Sequence, residues 1–189
     1  MKSKKSVLTL DKIITIRQWR SLYRELQILK NSSFYRDYYI THLTWNTGLR
    51  ASEVAALKWE DIHLEEFFLK VRNGKGCKPR TVFFGESTYN LLSELKNLDH
   101  KSSFVFISRK RTPLSRVTVW RRFKEIARRA NLPESLTFHS LRHGYATRMI
   151  DEGIQLHELK EQLGHTSITT TAVYLHFTQS SREKFKKIS

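Results

Sequence analysis

Apolar residues recur every three or four positions over most of the chain and run closer together only in its middle. Residues 11–30 place Ile13, Ile16, Leu22, Leu26 and Leu29 among basic residues, the pattern of an amphipathic helix. An aromatic-rich stretch from near Ser33 toward Trp45 reads as a second helix, stopped by Gly48, and "RASEVAALKW" as a short third one. The period then changes. "FFLKVRNGKGCKPRTVFF" consists of two β-rich runs around a Gly- and Pro-containing turn, which predicts a hairpin. Residues 87–97 return to helical spacing, and "SFVFIS" reads as one more short strand. A long basic helix is expected after Pro113, with Val117, Trp120, Phe123, Ala127 and Ala130 on or near one face. Pro133 interrupts it, and helices follow over 139–151 and 155–163. No internal repeat or low-complexity linker divides the chain. The expected fold class is therefore α+β, mainly α-helical: one compact domain with a small antiparallel sheet.

Composition adds a partner to this picture. The 189 residues suffice for one domain with a substantial core. Hydrophobic residues at 39% and charged residues at 28% are ordinary, but 34 Lys+Arg against 18 Asp+Glu leave a net charge of +16. Such an excess attracts a polyanion by counterion release, which makes nucleic acid the leading partner. No apolar run approaches the roughly 20 residues that span a bilayer, so a membrane is not an expected partner. The N-terminal "MKSKKSVLTLDK" lacks the apolar core of a signal peptide. Cys77 is the only cysteine, which excludes an internal disulfide and a cysteine-based zinc cluster and fits a reducing cytoplasm.

Four stretches carry candidate chemistry. In "TFHSLRHGYATRM", His139 and Arg142 are three apart and share one helix face, an arrangement suited to a phosphate because arginine offers a planar fork of donors. His143, four from His139, resembles part of a zinc-binding HExxH pattern, but Ser140 stands where the glutamate belongs; His143 is read as a packing residue or one that supports a neighbouring site residue. In "NTGLRASEVAALKWEDI", Arg50 opens a helix, where it would pair with Glu53 or Glu60 or project into a cleft; spacing leaves both open. "NGKGCKPR" puts Lys75 at the tip of a turn and lacks the following helix of a nucleotide-binding loop. Last comes "LGHTSITTTAVYLH", with His165 and Tyr174. A phenol with a pKa of about 10 needs roughly 4 kcal/mol to ionise at neutral pH unless cations or a base assist it.

Taken in order, these stretches resemble the tyrosine recombinase family, also called the phage integrase family, nearest in look to Xer-type recombinases and short Fim-type invertases. "TGLRASEVAALKWEDI" looks like the family's first arginine box, "GKGCKPR" like its lysine hairpin, "HSLRHGYAT" like its His-x-x-Arg box and "LGHTSITTTAVYLH" like its nucleophile box. The resemblance implies the family's catalytic-domain fold, with a small antiparallel sheet carrying the lysine hairpin. It implies an enzyme that cleaves and rejoins DNA strands through a 3′-phosphotyrosyl intermediate, with no metal, ATP or other cofactor. Tyr174 would be the nucleophile, Arg50 and Arg142 the phosphate clamp, and Lys75 the acid for the leaving 5′-oxygen. His139 would do acid–base work, and His165 would bond the phosphate. Double-stranded DNA would be the partner, bound by a dimer or tetramer with possible accessory DNA-binding proteins, in the cytoplasm at the nucleoid. Base readout is expected from "RKRTPLSRVTVWRRF", with Lys110, Arg111, Arg116, Arg121 and Arg122 as DNA-binding candidates. Against the family pattern, residues 1–176 are read as the catalytic domain and 177–189 as a basic tail, with the N-terminal core-binding domain absent. The rival readings are a type IB topoisomerase with the same chemistry and a catalytically silent DNA-binding regulator or directionality factor.

Overall fold

The structure is a computed structural model and describes residues 8–72, 79–98, 102–108, 110–178, 181 and 183. After a 3₁₀ turn at Leu10–Lys12, Ile13 and Ile14 run extended into the core and Thr15 caps helix α1 (Ile16–Lys30). Its Oγ1 accepts from Gln18 N, and the Gln18 side chain accepts from Thr15 N, two donors satisfied reciprocally. Trp19, Leu22, Leu26 and Leu29 form the buried stripe of α1, each contributing about 1.5–3 kcal/mol by burial. Trp19 stacks on Trp45 of α2 (Tyr35–Thr47), with ring centroids 4.5 Å apart. Helix α2 is buried along most of its length and packs against α1, α4, α5 and α6, which makes it the central post of the fold. It stops at Gly48, whose φ of +67° is the left-handed cap that favours glycine. A Cβ there would also stand 2.5 Å from the Tyr145 ring.

Helix α3 (Ala51–Ala56) leads through a 3₁₀ turn at Trp59–Asp61 into a three-stranded antiparallel sheet in the order β1 (Ile62–His63), β2 (Phe68–Val71), β3 (Arg80–Phe83). The expected hairpin is β2–β3, in register from Phe68↔Phe83 to Val71↔Arg80. Its tip, with Lys75, lies outside the described residues. Helix α4 (Glu86–Leu98) follows. "SFVFIS" is not a strand of this sheet. Among its described residues, Phe104 and Ile107 make isolated bridges to Lys58 and Pro113, while Val105, Phe106 and Ile107 are buried.

Helix α5 (Arg116–Arg129) starts after Pro113 as expected and is capped by Ser115; Phe123 and Ala127 of the expected face point inward, but its first turns face differently. Val119, Phe123, Ile126 and Ala127 are buried, whereas Val117 and Trp120 are 63% and 48% exposed. Two apolar sets interleave on this helix, and the set three and four apart from Phe123 toward the C-terminal end is the one that meets α1, α2, α3 and α6. Then come α6 (Phe138–Asp151), α7 (Leu156–Leu163), α8 (Ile168–Ala172) and a 3₁₀ turn at Val173–Phe177. Tyr145, Ala146, Leu159, Leu163 and Tyr174 form a small second core beside the main one. No described helix is long and apolar enough to cross a membrane.

Candidate active site

Three helix junctions meet at one place: the α2–α3 turn, the first turns of α6 and the α7–α8 turn. Arg50 is the residue before α3. Glu53, three residues on, accepts from its backbone N and from its Nη1, both at 2.8 Å, so one carboxylate caps the helix and aims the side chain. Of the two carboxylates weighed from spacing, Glu53 is paired with Arg50. Arg80, the first residue of β3, reaches the same carboxylate with Nη1 and Nη2 at 2.8 and 2.9 Å. Burial alone would raise the Glu53 pKa; hydrogen bonds and charge from Arg80, and the Arg50 backbone N–H, overcome it and hold the group at about 2.

Arg142 is the largest fully buried side chain, 1% exposed. Its Nη1 donates to the Gly48 carbonyl at 2.7 Å and its Nη2 to the Leu163 carbonyl at 2.6 Å. These two acceptors sit at the C-terminal ends of α2 and α7, where helix carbonyls lack intrahelical donors and the dipole favours a cation. Arg142 Nε, also buried, has no hydrogen-bond partner among the described residues. Burial, then the nearby Arg50 charge, pushes the Arg142 pKa down to about 9.

His139 lies one turn before Arg142, its ring edge-on to His143 with centroids 4.5 Å apart. Its outer edge faces solvent, yet the packing on its inner side and the Arg142 and Arg50 guanidiniums bring its pKa to about 4. Gly164 closes α7 in the left-handed conformation (φ +66°) and delivers His165, whose Nδ1 is 2.9 Å from Thr171 Oγ1. Thr171 is fully buried, so one member of the threonine run orients a candidate histidine rather than merely carrying the chain toward Tyr174. Burial and the same two guanidiniums push the His165 pKa to about 3. All three imidazoles here are neutral near pH 7, because His143 is held at about 3 by burial and by His139 and Arg142.

Tyr174 completes the group. It is 3% exposed, and its hydroxyl lies 2.9 Å from His143 Nδ1. The His165 ring lies nearly parallel to it, 6.4 Å away. Burial raises the phenol's pKa, and Arg142 and Arg50 pull in the other direction. The structure thus brings Arg50, His139, Arg142, His165 and Tyr174 together, in one another's electrostatic fields. His143, read from the sequence as packing or supporting a site residue, takes the second of these roles as the phenol's hydrogen-bond partner. Its i+4 offset from His139 was the available signal. Residues 12–181 match the model of the phage integrase family.

The chain belongs to the phage integrase family. Tyrosine recombinase XerA of Pyrococcus furiosus is 42% identical over 150 residues, a match covering 76% of this chain and 51% of that protein. A crystal structure of XerA recombinase superposes with a TM-score of 0.81 at 27% identity, over 96% of this chain and 66% of that one. XerH recombinase, solved bound to a palindromic difH substrate as a post-cleavage complex, shares the fold at a TM-score of 0.81 and 24% identity, over 98% of this chain and 55% of that one. The chain spans about half the length of the curated relatives it matches.

The basic candidates do not form one set. Lys110, Arg111, Arg116 and Arg121 are exposed. Arg122 is engaged within the protein: Nε and Nη2 meet Asp37 Oδ2 at 2.8 and 2.6 Å, Nη1 meets Glu125 at 2.6 Å, and the guanidinium covers the Phe34 ring at 4.2 Å. Lys110, Arg121 and Arg122 line, with Arg36, a groove of about 580 Å³ between the starts of α2 and α5. The Arg36 guanidinium also donates to the Ile107 carbonyl there.

Proposed function

We propose that this chain is the catalytic part of a site-specific recombinase that breaks and rejoins DNA through a bond from Tyr174 to a 3′-phosphate. The observation that carries this reading is the buried Tyr174 phenol in the fields of Arg142 and Arg50, with Arg142 Nε left without an acceptor among the described residues. A buried donor without a partner costs roughly 1–3 kcal/mol, and more when it is charged; a phosphate oxygen brought to it restores that loss. Arg50 and Arg142 bind the non-bridging oxygens and stabilise the extra charge of the pentacoordinate transition state. Tyr174 Oη attacks phosphorus, its proton leaves toward a neighbouring imidazole, and the 5′-oxygen departs as a hydroxyl once protonated by Lys75, which lies outside the described residues. His139 assists the proton transfers, and His165, oriented by Thr171, donates to the phosphate. The phosphotyrosyl bond retains the phosphodiester's energy, so a second 5′-hydroxyl reseals the strand.

The net charge of +16 supports binding to double-stranded DNA, with Lys110, Arg111, Arg116 and Arg121 as the exposed cations near α5 and Arg122 fixing that helix to α2. A palindromic substrate, such as the one that XerH carries, has two equivalent half-sites; we place one copy of this chain on each, in a dimer or higher assembly acting at the nucleoid in the cytoplasm. The test is a duplex nicked beside a candidate site, so that cleavage traps the enzyme. The wild type forms a covalent adduct on a denaturing gel and Tyr174→Phe forms none. A wild type that binds the duplex without an adduct is a silent DNA-binding regulator, and one that relaxes plasmids without exchanging two sites is a topoisomerase.

A further inference from the structure

The proposed reaction gives Arg80 no role, yet its side chain is buried and held at every guanidinium nitrogen. The side chain is 7% exposed, and each guanidinium nitrogen has a protein acceptor. Nη1 and Nη2 take the two oxygens of Glu53, 27 residues away, and Nε takes the Gln162 carbonyl at 2.9 Å, 82 residues away. Its stem passes where Gly164 has no side chain: a Cβ on Gly164 would sit 2.7 Å from Arg80 Cδ. The Gln162 side chain adds a second tie, donating to the Phe83 carbonyl at 2.6 Å and accepting from Phe83 N at 3.1 Å. One guanidinium therefore fastens the start of β3 to the residues that carry Arg50 on one side and His165 on the other.

We infer that Arg80 is a positioning residue for the Tyr174 reaction: through Glu53 it sets the direction of Arg50, and through the Gln162–Gly164 turn it sets where His165 enters the site. It touches no reacting atom. The planar fork is what this requires, because two parallel hydrogen bonds fix the rotation of the carboxylate that in turn aims Arg50. A lysine ammonium makes no such fork. Displacement of a phosphate-binding group by about 1 Å costs on the order of 100-fold in rate, so a frame of this kind acts on cleavage far more than on affinity.

The inference rests on the proposed function, and its test separates the two. Arg80→Met and Arg80→Lys are compared with wild type on the nicked duplex, and the Glu53 carboxyl is followed by ¹³C NMR in the wild type and in Arg80→Met. Both variants bind DNA within about threefold of wild type and cleave at least tenfold more slowly, with the half-saturating DNA concentration unchanged. In Arg80→Met the Glu53 titration moves up from about 2 into the ordinary carboxylate range or above it. Cleavage then acquires an acidic limb at that pH, which Glu53→Gln/Arg80→Met lacks. Cleavage within twofold of wild type in Arg80→Met, full activity in Arg80→Lys, or an unmoved Glu53 titration overturns the inference. So does loss of DNA binding or of the folded state at the assay temperature in both variants, which would make Arg80 a structural residue only. A wild type that forms no adduct defeats the Tyr174 reading itself, whatever Arg80 does.

Discussion

Arg80 and Arg142 are both buried arginines at the same helix junctions, and they differ in one nitrogen. Arg80 has an acceptor for each of Nε, Nη1 and Nη2, two of them the oxygens of a carboxylate. Arg142 uses Nη1 and Nη2 on backbone carbonyls, faces no carboxylate within hydrogen-bond reach, and keeps Nε without a partner among the described residues. The first corner carries its own counter-charge: Glu53 is shared by Arg80 and Arg50, and charge pairing supports shape. The second corner is left cationic, and the Tyr174 phenol is the acid it acts on. A protein that needed only stability would pair both, since an uncompensated buried cation costs several kcal/mol. The open corner is where an anion from outside completes the structure.

The contrast is broken most completely by Tyr174→Phe. It removes the nucleophilic oxygen and one hydrogen bond to His143, so covalent adduct falls below detection while unfolding free energy changes by only about 1 kcal/mol in a urea melt. Arg142→Lys comes next. An ammonium cannot serve the Gly48 and Leu163 carbonyls together and also offer a third donor, so cleavage falls at least 100-fold and stability by roughly 2–4 kcal/mol. Retention of DNA binding in a salt titration separates this loss from a general loss of affinity.

Glu53→Gln tests the first corner through its pH response. The folded-state pKa, about 2, lies below the unfolded value of 4.5, so this carboxylate's stabilisation is present above pH 4.5 and is lost as pH falls toward 2. Its size at pH 7 is roughly 3 kcal/mol. Wild type therefore loses stability steeply over that window, and Glu53→Gln, less stable at pH 7, loses less of it. His139, His143 and His165, all depressed below 6.5, act in the same direction over the range from pH 6.5 downward, in the wild type and the variant alike. The smallest effect is expected from Thr171→Val. It removes the His165 Nδ1 partner at constant shape, costs about 1 kcal/mol in a thermal melt and slows cleavage a few-fold.

Much of this arrangement was legible in the residues. Gly48 and Gly164 marked the turns that end α2 and α7, and the hydrophobic spacing placed α1, α2, α6 and α7 within a few residues of their ends. Arg50, His139, Arg142, His165 and Tyr174 stood out through their order along the chain and its resemblance to the phage integrase family, not through their spacing alone. What periodicity could not supply was the choice between two apolar sets on α5, since Val117 and Trp120 are as hydrophobic as Val119 and Ile126 and only the neighbouring helices decide which set is covered. Nor could it pair Arg80 with Glu53 and Gln162, because those contacts span loops whose closure is a property of the whole fold. His143 was left between packing and support for a related reason: its meaning comes from Tyr174, 31 residues on.

In the proposed reaction, Tyr174 Oη forms the covalent link to DNA at this cluster. Trapping the adduct on the nicked duplex, digesting both protein and DNA, and sequencing the modified peptide by mass spectrometry tests it directly. The account predicts a nucleotide 3′-phosphate on Tyr174, in the peptide spanning "TTTAVYLHF". A modified residue other than Tyr174, or adduct formed undiminished by Tyr174→Phe, would contradict it.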